Sequence, residues 1–311
     1  MFNIFLPVAD MSINLLLILG IGGVVGFLSG LFGVGGGFLL TPLMMMIGIP
    51  PAVAAASDSN QIVAAAASGA MAHTRLGNVD IKMGVIILVG GIVGGTVGVQ
   101  AVKVLRQLGN FEFVVKAVYV LMLGGVGGAM FVESLRSLRK KAPAGGVEAT
   151  AGAPKFSTFF NKLPLKMHFK KSGLHTSAIF PFSIGAVVGF LAALMGVGGG
   201  FIMVPAMIYV IGMPTVVAIG TDLFQIVFTT ANVTLQQAIT NHTVDIVLAM
   251  VLLAGSTIGA QFGAKVSKVL KGEQIRVLLS VIVLVMMVKL LFDLLITPES
   301  LVGFVAAKGG H

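Results

Sequence analysis

Cysteine is absent from the sequence, and Asp, Glu, Lys and Arg together make up only 10% of its 311 residues. The first absence excludes disulfides, thiolate metal sites and cysteine nucleophiles. The second excludes an ordinary soluble domain, which keeps about a quarter of its residues charged to cover a water-facing surface. What is present points to lipid as the solvent. Hydrophobic residues make up 57% of the chain, and the mean hydropathy is +1.04. The 42 glycines and 17 methionines agree with this, because small residues let membrane helices approach closely and glycine is commoner there than in soluble helices. Residues Met1–Gly20 lack the basic start of a signal peptide, and their apolar run continues past any plausible cleavage site. They are read as retained.

Basic charge is unevenly spread. Of the twenty Lys and Arg, nine fall between Arg136 and Lys171, in the one long polar stretch. A net charge of +9 would suit nucleic acid, but this clustering is that of a cytoplasmic loop obeying the positive-inside rule. No nucleic-acid partner is expected.

The chain repeats itself. Residues 26–42 read GFLSGLFGVGGGFLLTP and residues 189–205 read GFLAALMGVGGGFIMVP. The match continues with small gaps. Gly48 and Pro50 correspond to Gly212 and Pro214, Asp58 and Gln61 to Asp222 and Gln225, and Val79-Asp80-Ile81 to Val244-Asp245-Ile246. Gly90, Gly94 and Gly98 then correspond to Gly255, Gly259 and Gly263. Such length excludes chance and marks a tandem duplication. Each half carries about five hydrophobic segments, near 12–32, 38–49, 52–72, 80–102 and 112–134, then 179–195, 201–212, 215–239, 244–266 and 274–297. Most approach the ~20 residues that span the hydrocarbon. The second of each set is shorter, follows a glycine run and contains a proline, as a half-helix or a strongly tilted helix would.

The expected fold is therefore an all-α polytopic membrane protein of two homologous repeats, with broken or half-helices at GVGGG. Residues 1–135 form the N-terminal transmembrane repeat, 136–178 the basic cytoplasmic loop and 179–311 the C-terminal transmembrane repeat. Five crossings per half would invert one repeat relative to the other. With the long loop inside the cytoplasmic membrane, fifteen Lys and Arg lie inside and four outside, Lys289 falling within a span. If the short segments do not cross, the inversion lapses.

Three constellations bear on chemistry. The glycine runs, Gly33–Gly37 and Gly196–Gly200, have no following Lys-Ser/Thr and no preceding strand, so they are not nucleotide loops. Within a membrane they break a helix and bare backbone groups, which is tolerated only inside protein or beside a water-filled cavity. Amides at the start of the next helix, at Phe38 and Phe201, would then seat a small anion, as broken helices at repeat interfaces do in secondary transporters. The alternative, glycines serving only tight helix crossing, stays open.

The second constellation is the pair of D-x-x-Q motifs, Asp58/Gln61 and Asp222/Gln225. Residues three apart share a helix face, so each Asp is expected beside its Gln. Polar neighbours join them: Ser57, Ser59 and Asn60 in one half, Thr221, Thr229, Thr230 and Asn232 in the other. An unpaired charged carboxylate in lipid costs several kcal/mol, so each Asp is a candidate proton carrier in a functional interior. Helix capping near the segment entry is the competing reading. The third comprises His73, Arg75 and Asp80 in one turn and Asn241, His242 and Asp245 in its counterpart, for which capping or snorkelling is expected rather than substrate contact. The five histidines show no metal spacing, no catalytic triad or nucleophile elbow appears, and no cofactor is implied. Glycine faces at Gly90, Gly91, Gly94, Gly95 and Gly98 and at Gly124, Gly125, Gly127 and Gly128 would serve internal packing or a homodimer equally.

The doubled glycine signature, the D-x-x-Q after it and the Val-Asp turn together resemble the sulfite exporter TauE/SafE family of membrane permeases, over nearly the whole chain except 136–178. The resemblance implies a secondary transporter, by usual proposal an exporter, of sulfur-containing anions such as sulfite and organosulfonates, and not an enzyme. It carries over Gly33, Gly35, Gly36, Gly37, Pro42, Asp58 and Gln61, with Gly196, Gly198, Gly199, Gly200, Pro205, Asp222 and Gln225. Proton coupling through Asp58 and Asp222, with substrate held at the glycine runs, Phe38, Phe201, Gln61 and Gln225, completes the expectation. A passive anion or small-solute channel is the alternative.

Overall fold

The computed structural model describes residues 2–32, 37–139, 165–266 and 272–295. Each half begins with a two-stranded antiparallel hairpin: β1 (Asn3–Leu6) with β2 (Met11–Asn14), and β3 (Lys166–Phe169) with β4 (Leu174–Ser177). Helices follow. The first half holds α1 (Leu15–Phe32), α2 (Gly37–Met46), α3 (Pro51–Arg75), α4 (Ile81–Gln107) and α5 (Phe111–Arg139). The second holds α6 (Ile179–Met195), α7 (Gly200–Pro205), α8 (Thr215–Gln236), α9 (Ile246–Val266) and α10 (Gly272–Leu295). Beyond Pro205, α7 widens into a π-helical stretch, Ala206–Ile211, and α8 ends in another, Gln237–Asn241. Among the described residues, five helices are long and apolar enough to cross a membrane: α4, α5, α8, α9 and α10. Helices suit this solvent because all their backbone bonds are internal.

The polytopic all-α architecture agrees with the sequence reading, and helix ends fall within a few residues of the expected segments. The hairpins were not anticipated. Their apolar residues look like span ends in sequence, and Lys166–Ser177 lies within the stretch read as loop. Residues 140–164 of that stretch are outside the described residues.

The halves interlock. The first helix of each pairs with the fourth of the other, α1 with α9 and α6 with α4, while α3 packs on α8 and α5 on α10. Both first-to-fourth pairs run parallel at backbone contact. Gly22 and Gly26 face the backbones of Leu252 and Ser256, and Gly259 faces that of Gly23. Likewise Gly90 faces the Phe182 carbonyl, Gly94 that of Ala186, and Gly189 that of Gly91. Without a hydrophobic force between helices in lipid, such close approach is what joins them. The Gly90–Gly98 face is thus filled within the chain, whereas Gly125 and Gly128 meet nothing.

Polar clasps lock the interlock at both ends. Asp80 caps α4 by accepting the Met83 N–H at 3.2 Å. Its second oxygen accepts from the Ser172 N–H and hydroxyl, 3.1 and 2.7 Å, in the turn of the second hairpin. Its own N–H donates to Thr221 of α8. Asp245 repeats this with the roles of the halves exchanged. It accepts from Leu248 (3.1 Å) and from the Val8 N–H of the first hairpin (2.9 Å), and donates to Ser57 of α3 (3.2 Å). Capping is therefore the observed role of both turn acids, as expected.

Equivalent helices α3 and α8 cross antiparallel. Gly69 meets Leu223, His73 and Asn78 meet Gly220, and the equivalent residues Ile62 and Ile226 share one buried cluster. Equivalent residues of the two halves therefore meet between α3 and α8.

Replacing Gly94 by leucine drives its side chain into the Ala186 carbonyl, which is backbone and cannot give way. Thermal unfolding in detergent is expected to show Gly94→Leu destabilised by about 3 kcal/mol or more, with Gly125→Leu within about 0.5 kcal/mol of the parent.

Candidate functional site

The helices that follow the two glycine runs meet at their starts. Phe38, in the first turn of α2, and Phe201, in the first turn of α7, stack with ring centroids 4.6 Å apart and planes 11° from parallel. These are equivalent residues of the two halves. Both rings are buried. Gly37 opens α2 so close to the other break that an added Cβ would stand 3.2 Å from the Val197 Cα. Of the first run, Gly33, Gly35 and Gly36 lie outside the described residues.

The second run is described throughout. Gly196 ends α6 with φ +75°, and Gly199 precedes α7 with φ +88°. A side chain at Gly196 would strike the backbone of Ala55 in α3, so both its conformation and its neighbour require glycine. Gly198, also at positive φ, packs on Ile62, Ile226 and Thr230. Gly200 opens α7. The result is two helix starts, α2 and α7, converging inside the protein. Each presents the partial positive charge of its first amides.

The D-x-x-Q pairs differ. In the second half the expected pairing holds: Gln225 donates to Asp222 at 2.9 Å and accepts from Thr229 at 2.9 Å. In the first half it does not. Asp58 accepts from Thr41 of α2 at 2.8 Å, and Gln61 donates to Ser256 of α9 at 2.9 Å. The cause is where each half carries hydroxyls. Thr41 corresponds to Val204, so α7 offers Asp222 none. Ser256 corresponds to Gly91, which leaves room beside Gln225 but no partner. Gln225 turns instead to Asp222 and to Thr229, whose counterpart is Ala65.

Asp58 also lies against the start of α2, its Oδ2 3.2 Å from where a Gly37 Cβ would stand. The protein thus holds its own carboxylate at one of the two positive helix ends. Asp58 and Asp222 are both buried in mid-helix, and neither caps. Thr41 contacts a further residue that sequence reasoning missed. The buried Tyr119 of α5 lies beside Thr41 and donates to the Met195 carbonyl, just before Gly196. Tyr119 is one of only two tyrosines in the chain, the single sequence signal that pointed to it.

The remaining expected polar residues scatter. Ser57 and Thr221 serve the clasps, and Ser59 donates to the carbonyls of Ala55 and Gly196. Thr230 bonds back to the Ile226 carbonyl, and Asn232 accepts from Gln236. Asn60 and Arg75 are exposed. Asn241 donates to the Val99 carbonyl and to Gln237. Among the described residues, no group of three or more His, Asp or Glu side chains stands close enough to hold a metal.

Known membrane proteins resemble the chain along most of its length. Residues 18–290 match the family model described as Sulfite exporter TauE/SafE. Similar chains include the "Probable membrane transporter protein YunE" of Bacillus subtilis, 24% identical over 91% of this chain and 98% of that one. A "Probable membrane transporter protein" of Xylella fastidiosa is 29% identical over 80% of this chain and 84% of its own. A third, "Probable membrane transporter protein YjnA" of Bacillus subtilis, is 26% identical over 90% of this chain and 100% of its own. No solved structure matches.

The Phe38–Phe201 stack gives a direct check that the breaks touch. A double-mutant cycle with Phe38→Leu and Phe201→Leu is expected to yield a coupling of about 0.5–1.5 kcal/mol in unfolding free energy. Independent, additive effects would mean that the rings are apart.

Proposed function

The chain belongs to the sulfite exporter TauE/SafE family and is a multi-pass membrane transporter protein, and from that premise we propose that it exports small sulfur-containing anions by a proton-coupled secondary mechanism. Sulfite and organosulfonates are the substrate class, following the family's name. In this reading the protein sits in the cytoplasmic membrane with its basic stretch on the cytoplasmic face, and it performs no chemical conversion.

One observation supports it above the others: two helix starts, marked by the stacked Phe38 and Phe201, converge between antiparallel equivalent helices. A trigonal or tetrahedral oxyanion between them would accept hydrogen bonds from amides of both halves, around Gly37, Phe38, Gly200 and Phe201. Each half would contribute one wall, so that rocking one half against the other exposes the site to alternate sides. Asp58 supplies a reason for coupling. While ionised it occupies the start of α2 and repels a second anion. Once neutral it leaves that helix end to the substrate. Asp222 stands in the corresponding place in the second half, already held by Gln225.

Flux in proteoliposomes tests this with sulfite, sulfate, sulfoacetate, taurine and chloride, with and without a pH gradient. A sulfur oxyanion is expected to accumulate on the alkaline side when the pH gradient is the only gradient imposed, since protons moving down it carry the anion along; export from an alkaline cytoplasm then runs on an outward anion gradient steep enough to draw protons out with it. A channel would dissipate anion gradients and accumulate nothing in response to ΔpH, and that result would overturn the coupling. Flux of none of the sulfur anions would overturn the substrate class.

A further inference from the structure

Two buried oxygens in the first half have no hydrogen-bond partner, Asp58 Oδ1 and Gln61 Oε1. They belong to residues three apart on α3, which share a face, and Asp58 and Gln61 are only 0% and 5% exposed. The surrounding network fixes which atoms are free. Ser256 donates its hydroxyl proton to the Leu253 carbonyl, so it can only accept from Gln61. Gln61 therefore presents its amide nitrogen there and keeps its oxygen for something else. The Thr41 hydroxyl has a single proton and gives it to Asp58 Oδ2, and the Thr41 backbone N–H also bears on that carboxylate. Both free atoms are acceptors, and both lack a donor. Leaving such atoms unpaired in an apolar interior is costly, and each calls for an explanation.

We propose that Asp58 and Gln61 together bind one monovalent cation, a proton or an alkali-metal ion, and that this is the coupling-ion seat of the transporter proposed above. A single proton on Oδ1 would turn it into a donor, and the unpaired Gln61 oxygen, three residues on along the same face of α3, is the acceptor we assign to it. An alkali-metal ion would use the same oxygens, of the hard kind that such ions take. An anion gains nothing from either atom. The second half has no equivalent seat, because Gln225 is already engaged on both sides, by Asp222 and by Thr229. The duplicated motif has therefore divided its labour, with the first copy taking the cation and the second closed on itself.

The groups facing Asp58 support this assignment. From α2 comes Thr41, and behind it Tyr119 of α5, whose proton goes to the Met195 carbonyl. From α9, Asp245 lies beyond Ser57 with its carboxylate taken up by Val8 and Leu248. From α8 the acid is Asp222, held by Gln225. Among the described residues, no Lys, Arg or His pairs with Asp58. Neutralisation has to come from a mobile cation.

Infrared difference spectroscopy on the full chain in neutral-lipid nanodiscs reads this seat without any transported anion. Steps in pH at constant salt, and steps in Na⁺ against K⁺ at constant pH, separate the two cations. The expected result is a carboxyl band responding to one of them that disappears in Asp58→Asn, shifts in Gln61→Leu and persists in Asp222→Asn. Absence of any cation-dependent carboxyl band, or a band that vanishes with Asp222→Asn and survives Asp58→Asn, would overturn the proposal. In proteoliposomes, Asp58→Asn supplies a permanent N–H donor in place of the cation, so it should lose cation-driven accumulation of anion. Retained accumulation in that variant also contradicts the seat. A wild-type chain that gives the band but moves no sulfur oxyanion keeps the cation seat and removes the substrate reading. One that moves the anion without the band does the reverse.

Discussion

Backbone contact between the halves, glycine against carbonyl, is the constraint on which the rest of the molecule depends. Along α1 with α9 and α4 with α6, a side chain larger than hydrogen at Gly26, Gly94 or Gly259 would strike a carbonyl of the other half. Among the described residues, each half's first helix packs chiefly on the fourth helix of the other half. Neither repeat could therefore complete its helix pairs alone, and the duplication is needed for packing as well as for the site. The turn acids reinforce the same dependence, since Asp80 is held by Ser172 and Thr221, and Asp245 by Val8 and Ser57.

That interlock brings α3 and α8 across one another, and with them the broken segments that precede each. Phe38 and Phe201 touch because their helices start where the two halves face each other. Inside lipid, a break is tolerated only where protein surrounds it, and here each break is walled by the opposite half, Gly196 by Ala55 and Gly37 by Val197. The price of interrupting two helices is met by a place that favours negative charge. Asp58 sits at its edge, and in the proposed mechanism its charge would decide whether that place is already taken.

Much of this was legible in the sequence. The apolar lengths gave the all-α polytopic class and most helix boundaries, because hydropathy and glycine runs act locally. The roles of Asp80 and Asp245 were also readable, since an Asp before an apolar run caps a helix wherever that helix goes. The hairpins were not readable, because four-residue strands such as Asn3–Leu6 resemble the frayed end of an apolar span. Nor was the asymmetry of the D-x-x-Q pairs. It turns on Thr41 facing Asp58 and Ser256 facing Gln61, contacts between residues 17 and 195 positions apart. Position along one helix predicted Asp222 with Gln225 and failed for Asp58 with Gln61, where neighbouring helices offered better partners. Tyr119, reached through Thr41, was hidden for the same reason.

The central claim is that amides at the starts of α2 and α7 receive one anion from both halves. Backbone amide shifts of glycine- and phenylalanine-labelled protein in nanodiscs, titrated with sulfite, measure this directly. Gly37, Phe38, Gly200 and Phe201 are predicted to shift together, saturating at a single concentration. Shifts confined to the basic hairpin at Lys166–Lys171, with those four amides unmoved, would contradict it.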